Sequence, residues 1–251
     1  GDWALHKGQS DSALVNASTW GLMLTGRIVR APLDAVTDPG GFMMRMVREM
    51  GEPVIQAAMM QAMRIMGEQF VLGRTIKDAL RRGNKLVRKD EAANFSFDML
   101  GEGARTYADG ERYFEAYMRA LEAVGKDAKG RGPEVENGIS VKLSALHPAY
   151  HAVQEDRVHD ELYPRFLALA EKAADLGLNL CMDAEEADRL VLSLNLFERL
   201  SKEPSLKDWT GLGLAVQAYQ LRAGHTVDWL AKLADTTKRR FMVHLSAICH
   251  T

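Results

Sequence analysis

Gly138-Ile139-Ser140-Val141-Lys142-Leu143-Ser144 is the stretch on which the fold turns. Read as a strand, its period-two alternation puts Ile139, Val141 and Leu143 on one face and Lys142 on the other. The apolar face suits packing against helices, and Lys142 then points to the opposite, inner side of a sheet. An ammonium withdrawn from water there needs a partner. Working outward, further short apolar segments recur at Phe95–Leu100, Leu178–Ala184, Gly211–Tyr219 and Phe241–Leu245. Between them lie helical spacings: Tyr113, Phe114, Tyr117, Met118 and Leu121; Val158, Leu162, Phe166, Ala170 and Ala173; Ala187, Leu190, Leu194, Phe197 and Leu200; Val227, Leu230 and Leu233. Alternating strands and helices imply parallel strands. Their recurrence at roughly 30 to 45 residues is close to the unit of an eight-fold βα barrel.

Five strands fit between Phe95 and Thr251. A doubly wound open sheet is complete with five, but the turn after the first strand, Asp98-Met99-Leu100-Gly101-Glu102-Gly103, lacks the G-x-G-x-x-G spacing of a dinucleotide site. The expected fold class is therefore α/β, a (β/α)8 TIM-barrel type, incomplete at about five βα units and preceded by an all-helical arm. The expected organisation is 1–92 for the arm and 93–251 for the N-terminal part of the barrel. In the arm, Val54, Ile55, Ala58, Met59, Ala62, Met63, Met66 and Phe70 follow Pro53 at helical spacing. The methionines from Met43 to Met66 read as core filling rather than as a plastic binding surface. The basic run Arg81-Arg82-Gly83-Asn84-Lys85-Leu86-Val87-Arg88-Lys89 reads as a solvated face, because no aromatic residue interrupts it and acidic residues follow.

Composition narrows the function. With 32 basic against 34 acidic side chains, the chain has no bulk electrostatic reason to bind nucleic acid or an anionic membrane. Cys181 and Cys249 suggest neither a disulfide framework nor a zinc site, and no apolar run approaches the roughly 18 residues of a membrane span. A cytoplasmic protein is expected, and the non-Met start reads as a fragment of something longer.

Chemistry in parallel α/β folds gathers where strands end. Asp183 ends the strand after that of Lys142 and is its candidate partner. From pattern alone the pair serves equally as a structural ion pair or as a grip for a zwitterion. Gln217 and Asp98 come late in their strands, and each is weak evidence alone. Glu185, Glu186 and Asp188 read as favourable charges at a helix N-terminus. His147, before Pro148, reads as a loop or capping residue. No Ser/His/Asp set, H-E-x-x-H or paired-Cys motif gives a hydrolase or metalloenzyme a foothold.

Four segments taken together are similar to the proline dehydrogenase domain of the bacterial proline utilisation A family. They are Phe95-Ser-Phe-Asp-Met-Leu-Gly-Glu-Gly-Ala104, Ile139-Ser-Val-Lys-Leu-Ser-Ala-Leu-His-Pro148, Asp183-Ala-Glu-Glu-Ala-Asp-Arg-Leu190 and Val216-Gln-Ala-Tyr-Gln220. The resemblance implies an FAD enzyme that oxidises L-proline to Δ1-pyrroline-5-carboxylate and passes electrons to a quinone. It implies a parent that is homo-oligomeric and peripheral to the inner membrane, and no nucleic acid for this segment. By motif, Lys142 is similar to the family lysine near the substrate carboxylate, Asp183 to the acid beside it, and Gln217 to a flavin contact. His244 stands where the family has a flavin-contacting arginine, in the departure His244-Leu-Ser-Ala-Ile-Cys-His-Thr251. The remaining strands, with the paired arginines and the active-site tyrosine, the aldehyde dehydrogenase domain and the DNA-binding module are expected to lie outside this chain. Two alternatives stay open: a silent fragment that binds neither FAD nor proline, and a helical oligomerisation scaffold.

Overall fold

The structure, a computed structural model, describes Met60, Met63, Gly67 and residues 71–88, 94–99 and 103–246. The Met-rich and Pro53 readings fall almost wholly outside these residues. Contacts divide the chain into units 1–72 and 73–251, and the sheet and its helices belong to the second.

Five strands form one sheet in chain order: β1 (Ser96–Asp98), β2 (Gly138–Val141), β3 (Asn179–Met182), β4 (Leu212–Gln217) and β5 (Met242–Ser246). Every pairing is parallel. The main helices are α1 (Ile76–Arg88), α2 (Tyr107–Asp127), α3 (Tyr163–Asp175), α4 (Leu190–Ser201) and α5 (Ala223–Thr237). This is the expected alternation, a partial (β/α)8 barrel of TIM type. Residues 81–88 of the basic run lie on α1, which turns Ala79, Leu80 and Gly83 inward and leaves Lys77, Arg81 and Lys85 exposed. Thr106 and Asp109 start α2 with a reciprocal capping box. Lys238, in the left-handed region, ends α5 by donating its N–H to the Ala234 carbonyl.

Register fixes which side chains share a face. Pairs Asp98↔Ser140, Ser140↔Cys181, Cys181↔Gly213 and Ala215↔His244 put one residue set on the inner, concave side. Its members are Ser96, Asp98, Gly138, Ser140, Asn179, Cys181, Gly213, Ala215, Gln217, Met242, His244 and Ser246. The outer face carries Phe97, Ile139, Val141, Leu180, Met182, Leu212, Leu214 and Val216, all buried. Against it pack Tyr117 and Leu121 of α2, Phe166 and Leu169 of α3, and Leu196 and Phe197 of α4, each almost wholly buried. On β5 the outer residues Val243 and Leu245 are 46% and 58% exposed.

The strand predicted through Ser144 stops at Val141. Leu143–Leu146 instead forms one helical turn with Lys142 as its N-cap and His147 as its C-cap. An apolar run of that length satisfies a buried turn as well as a strand, so periodicity alone does not separate them.

At the opposite end of the barrel Asn179 closes the floor. Its amide donates to the carbonyls of Pro133 (3.0 Å) and Glu136 (2.9 Å), and it packs so closely on Gly138 that a Cβ there would stand 1.8 Å from Asn179 Oδ1. Gly138→Ala is therefore expected to break one of these bonds and lower stability by ~1–3 kcal/mol. The check is the urea midpoint; an unchanged midpoint would show that the floor yields without cost.

Candidate functional site

Lys142 leaves the C-terminal end of β2 on the inner side, as its parity predicts. Its Nζ lies 2.8 Å from Asp183 Oδ2 and 2.5 Å from Asp98 Oδ2, while its side chain is only 8% exposed. The expected Lys142–Asp183 pair is thus joined, among the described residues, by Asp98. Asp98 was visible only as a polar residue late in β1, and parallel register makes it a partner by carrying the ends of β1, β2 and β3 to the same level. Burial works against the charged amine. The hydrogen bonds to Asp183 and Asp98, and their charges, outweigh it and hold the ammonium above the usual lysine range.

The cluster is supported from behind. Tyr117, fully buried on α2, accepts the Lys142 backbone N–H at 3.2 Å, and burial pushes its phenol up to about 12. The next turn is tied on both sides: the Ala104 N–H donates to the Ser144 carbonyl at 2.8 Å, and the Ser144 N–H donates to Glu185 Oε1 at 3.0 Å.

Glu185 departs from the helix N-terminus reading. Helix α4 begins at Leu190, after a 3-10 turn at Ala187–Arg189, and the Glu185 side chain is 8% exposed. Burial raises its pKa, opposed by the Ser144 hydrogen bond and the Arg189 charge. Arg189 in turn reaches Glu186 at 3.0 Å and lies over the Tyr150 ring, 5.4 Å from its centre. No sequence signal separates Glu185 from its exposed neighbour Glu186.

Lys142, Ser144, Glu185, Arg189, Gln217 and Tyr219 face one open cavity at the barrel mouth. Gln217 ends β4, and its side-chain oxygen accepts from the Gln220 amide. His244 is not among the residues lining the mouth. It sits in mid-β5, exposed, beside a concavity deeper in the barrel that it shares with Cys181, Gly213 and Met242. The Cys181 thiol there is pushed up to about 12, by burial and then by Asp183. Among the described residues no cluster of His, Cys, Asp and Glu is arranged to hold a metal, and no helix is long and apolar enough to cross a membrane. A buried ammonium between two carboxylates, beside a neutral amide in an open mouth, is suited to receive a small zwitterion.

Residues 79–246 match the family model described as proline dehydrogenase. Residues 1–70 match one described as the DNA-binding domain of proline dehydrogenase, which differs from the expectation that no part of such a module falls in this chain. Bifunctional protein PutA of Salmonella typhimurium is 47% identical over 247 residues, and that of Rhizobium meliloti is 46% identical. Each alignment covers 98% of this chain, which spans 18% and 19% of the length of those two relatives. Among solved structures, a bifunctional proline utilization A protein aligns with TM-score 0.66 and 50% identity over 80% of this chain and 20% of its own. The Bdellovibrio bacteriovorus protein inactivated by N-propargylglycine aligns with TM-score 0.66 and 26% identity over 72% of this chain and 20% of its own.

The charge balance at Lys142 gives a signed prediction. Because its folded-state pKa is raised, its contribution to stability is complete below the ordinary lysine value of about 10.4 and fades only as pH rises through the higher folded value. In Asp98→Asn combined with Asp183→Asn, the two charges that raise the amine are gone while the burial that lowers it stays, and the amine is expected to titrate lower than in the wild-type chain. NMR titration of the Lys142 Cε resonance reads both; an amine that titrates identically in the two proteins would remove the carboxylates as the cause.

Proposed function

Since the chain belongs to the proline dehydrogenase family, we propose that it forms one wall of the site in which a flavoenzyme oxidises L-proline to Δ1-pyrroline-5-carboxylate. The observation that carries this reading is the Lys142 ammonium held at the barrel mouth between Asp98 and Asp183. In this reading residues 1–92 form a helical arm and 93–251 the barrel portion.

A zwitterion offers Lys142 a carboxylate and offers the two aspartates an ammonium. The cluster can therefore exchange an internal ion pair for substrate contacts without leaving a charge unpaired. Asp98 is 40% exposed at its side chain and Asp183 25%, so Asp183 is the more sheltered partner. The deeper partner keeps Lys142 in place as substrate arrives, which fixes the carboxylate and leaves the ring to one orientation.

The residues at the end of β4 suit FAD. Gln217 supplies both a donor and an acceptor to the polar edge of an isoalloxazine, and the inner wall below it is kept low by Gly213 and Ala215. His244, on the same inner face of neighbouring β5, pairs with Ala215, two residues below Gln217, and on this reading is a second flavin contact deeper in the barrel. When bound, flavin supplies the acceptor for the hydride that proline loses. On this reading the electrons continue to a quinone, and the parent protein is a cytoplasmic homo-oligomer peripheral to the membrane.

The test is an absorbance spectrum of the chain after incubation with excess FAD and removal of free dye, followed by anaerobic addition of L-proline. Retained flavin that bleaches is expected. A colourless protein would contradict the reading for this chain and favour the silent fragment. In flavin-loaded chain, Lys142→Ala is expected to lower kcat/KM for proline about tenfold to a hundredfold, the loss of one charge-assisted hydrogen bond of ~1.5–3 kcal/mol. An unchanged kcat/KM would remove Lys142 from the site.

A further inference from the structure

Resting on the reading above, we infer that His147 is a positioning residue: clamped to Glu161, it fixes the helical turn whose other end presents Lys142 to the barrel mouth. His147 is buried, although as the first residue of His147-Pro148 it reads in the sequence as a loop residue. The Ala149 N–H donates to its Nδ1 at 3.1 Å, so the lone pair lies on Nδ1 and the hydrogen on Nε2. That Nε2–H points at Glu161 Oε2, 2.9 Å away. Both ring nitrogens are thereby spent on orientation.

The acceptor is itself fixed. Glu161 Oε1 takes the Arg157 Nε–H at 2.8 Å, and Arg157 is held in turn by Gln154 at 2.8 Å and by the Tyr107 hydroxyl. Arg157 first, and His147 second, hold the Glu161 carboxyl down to about 2, so it stays a charged acceptor at any ordinary pH. The Tyr107 ring closes the other side, edge-on to His147 at 5.3 Å between centres.

The link to the site is short. The turn Leu143–Leu146 has Lys142 as the residue before it and His147 as the residue after it. Its last carbonyl, that of Leu146, accepts from Arg165 at 2.9 Å. A four-residue turn pinned at its far end by a buried imidazole leaves the Lys142 backbone little freedom to swing. Without the clamp, the ammonium would sample positions away from Asp98 and Asp183.

The test needs neither flavin nor proline. Trace acetylation of the purified chain, with peptide mass spectrometry, measures how well Lys142 is sheltered, and amide exchange in β3 reports on the fold. Glu161→Ala, at a side chain 38% exposed, and His147→Ala are each expected to raise the Lys142 acetylation rate about tenfold, the consequence of losing one hydrogen bond to a charged group. His147→Gln, whose amide also reaches Glu161, is expected to restore the wild-type rate. Exchange in β3 stays unchanged in Glu161→Ala. Lys142 acetylated at the wild-type rate in Glu161→Ala would overturn the inference, and so would a rise matched by faster exchange throughout β3. In flavin-loaded chain the same variant is expected to raise the KM for proline several-fold with kcat nearly kept. Wild-type chain that fails to oxidise proline defeats the functional reading, and acetylation still decides the clamp.

Discussion

An ammonium placed inside a barrel has to be neutralised where it sits, and much of this site follows from that demand at Lys142. One carboxylate on an adjacent strand would form a pair. Here strands on both sides of β2 each contribute one, so the lysine is gripped between Asp98 and Asp183. The arrangement works only if β1, β2 and β3 run parallel in a register that brings their C-terminal ends level, which they do. Desolvation of the three charges opposes folding, and the mutual hydrogen bonds offset it. A cluster so balanced is costly to keep for stability alone, and the proposed binding of a zwitterion would give it a use.

The supports around Lys142 come from elements distant in the chain. Tyr117 reaches it from α2, Glu185 holds the following turn from the segment after β3, and His147 and Glu161 secure the far end of that turn. Each is buried or anchored by another group, so the geometry is set before any ligand arrives. Gln217 faces the same mouth from β4, whereas His244 lies deeper, beside Cys181 and Gly213. The outer face differs in kind, with continuous apolar packing from Phe97 to Val216 and partial exposure at Val243 and Leu245 of β5.

The alternation of strands and helices was legible because the outer faces of β2, β3 and β4 are unbroken apolar rows and the helices between them keep their own spacing. The inward aim of Lys142 followed from parity, and Asp183 from adjacency. Asp98 was harder, since a polar residue near the end of a short strand is common, and only pairing with β2 singles it out. The turn Leu143–Leu146 was hidden in an apolar run that fits a strand as well. Glu185 and Glu186 are chemically identical in sequence, and only three-dimensional packing buries one and exposes the other. The family resemblance implies what periodicity does not: flavin, proline and a flavin contact at Gln217.

The central claim is that Lys142, held by its two aspartates, recognises the carboxylate of a cyclic amino acid. The most direct measurement is calorimetric titration of the flavin-loaded chain with L-proline and, in parallel, with pyrrolidine, which has the same ring and no carboxylate. The account predicts that pyrrolidine binds at least about tenfold more weakly, the loss of ~1.5 kcal/mol or more expected for one charge-assisted contact. Equal affinity for the two would contradict it and return the Lys142 cluster to a purely structural role.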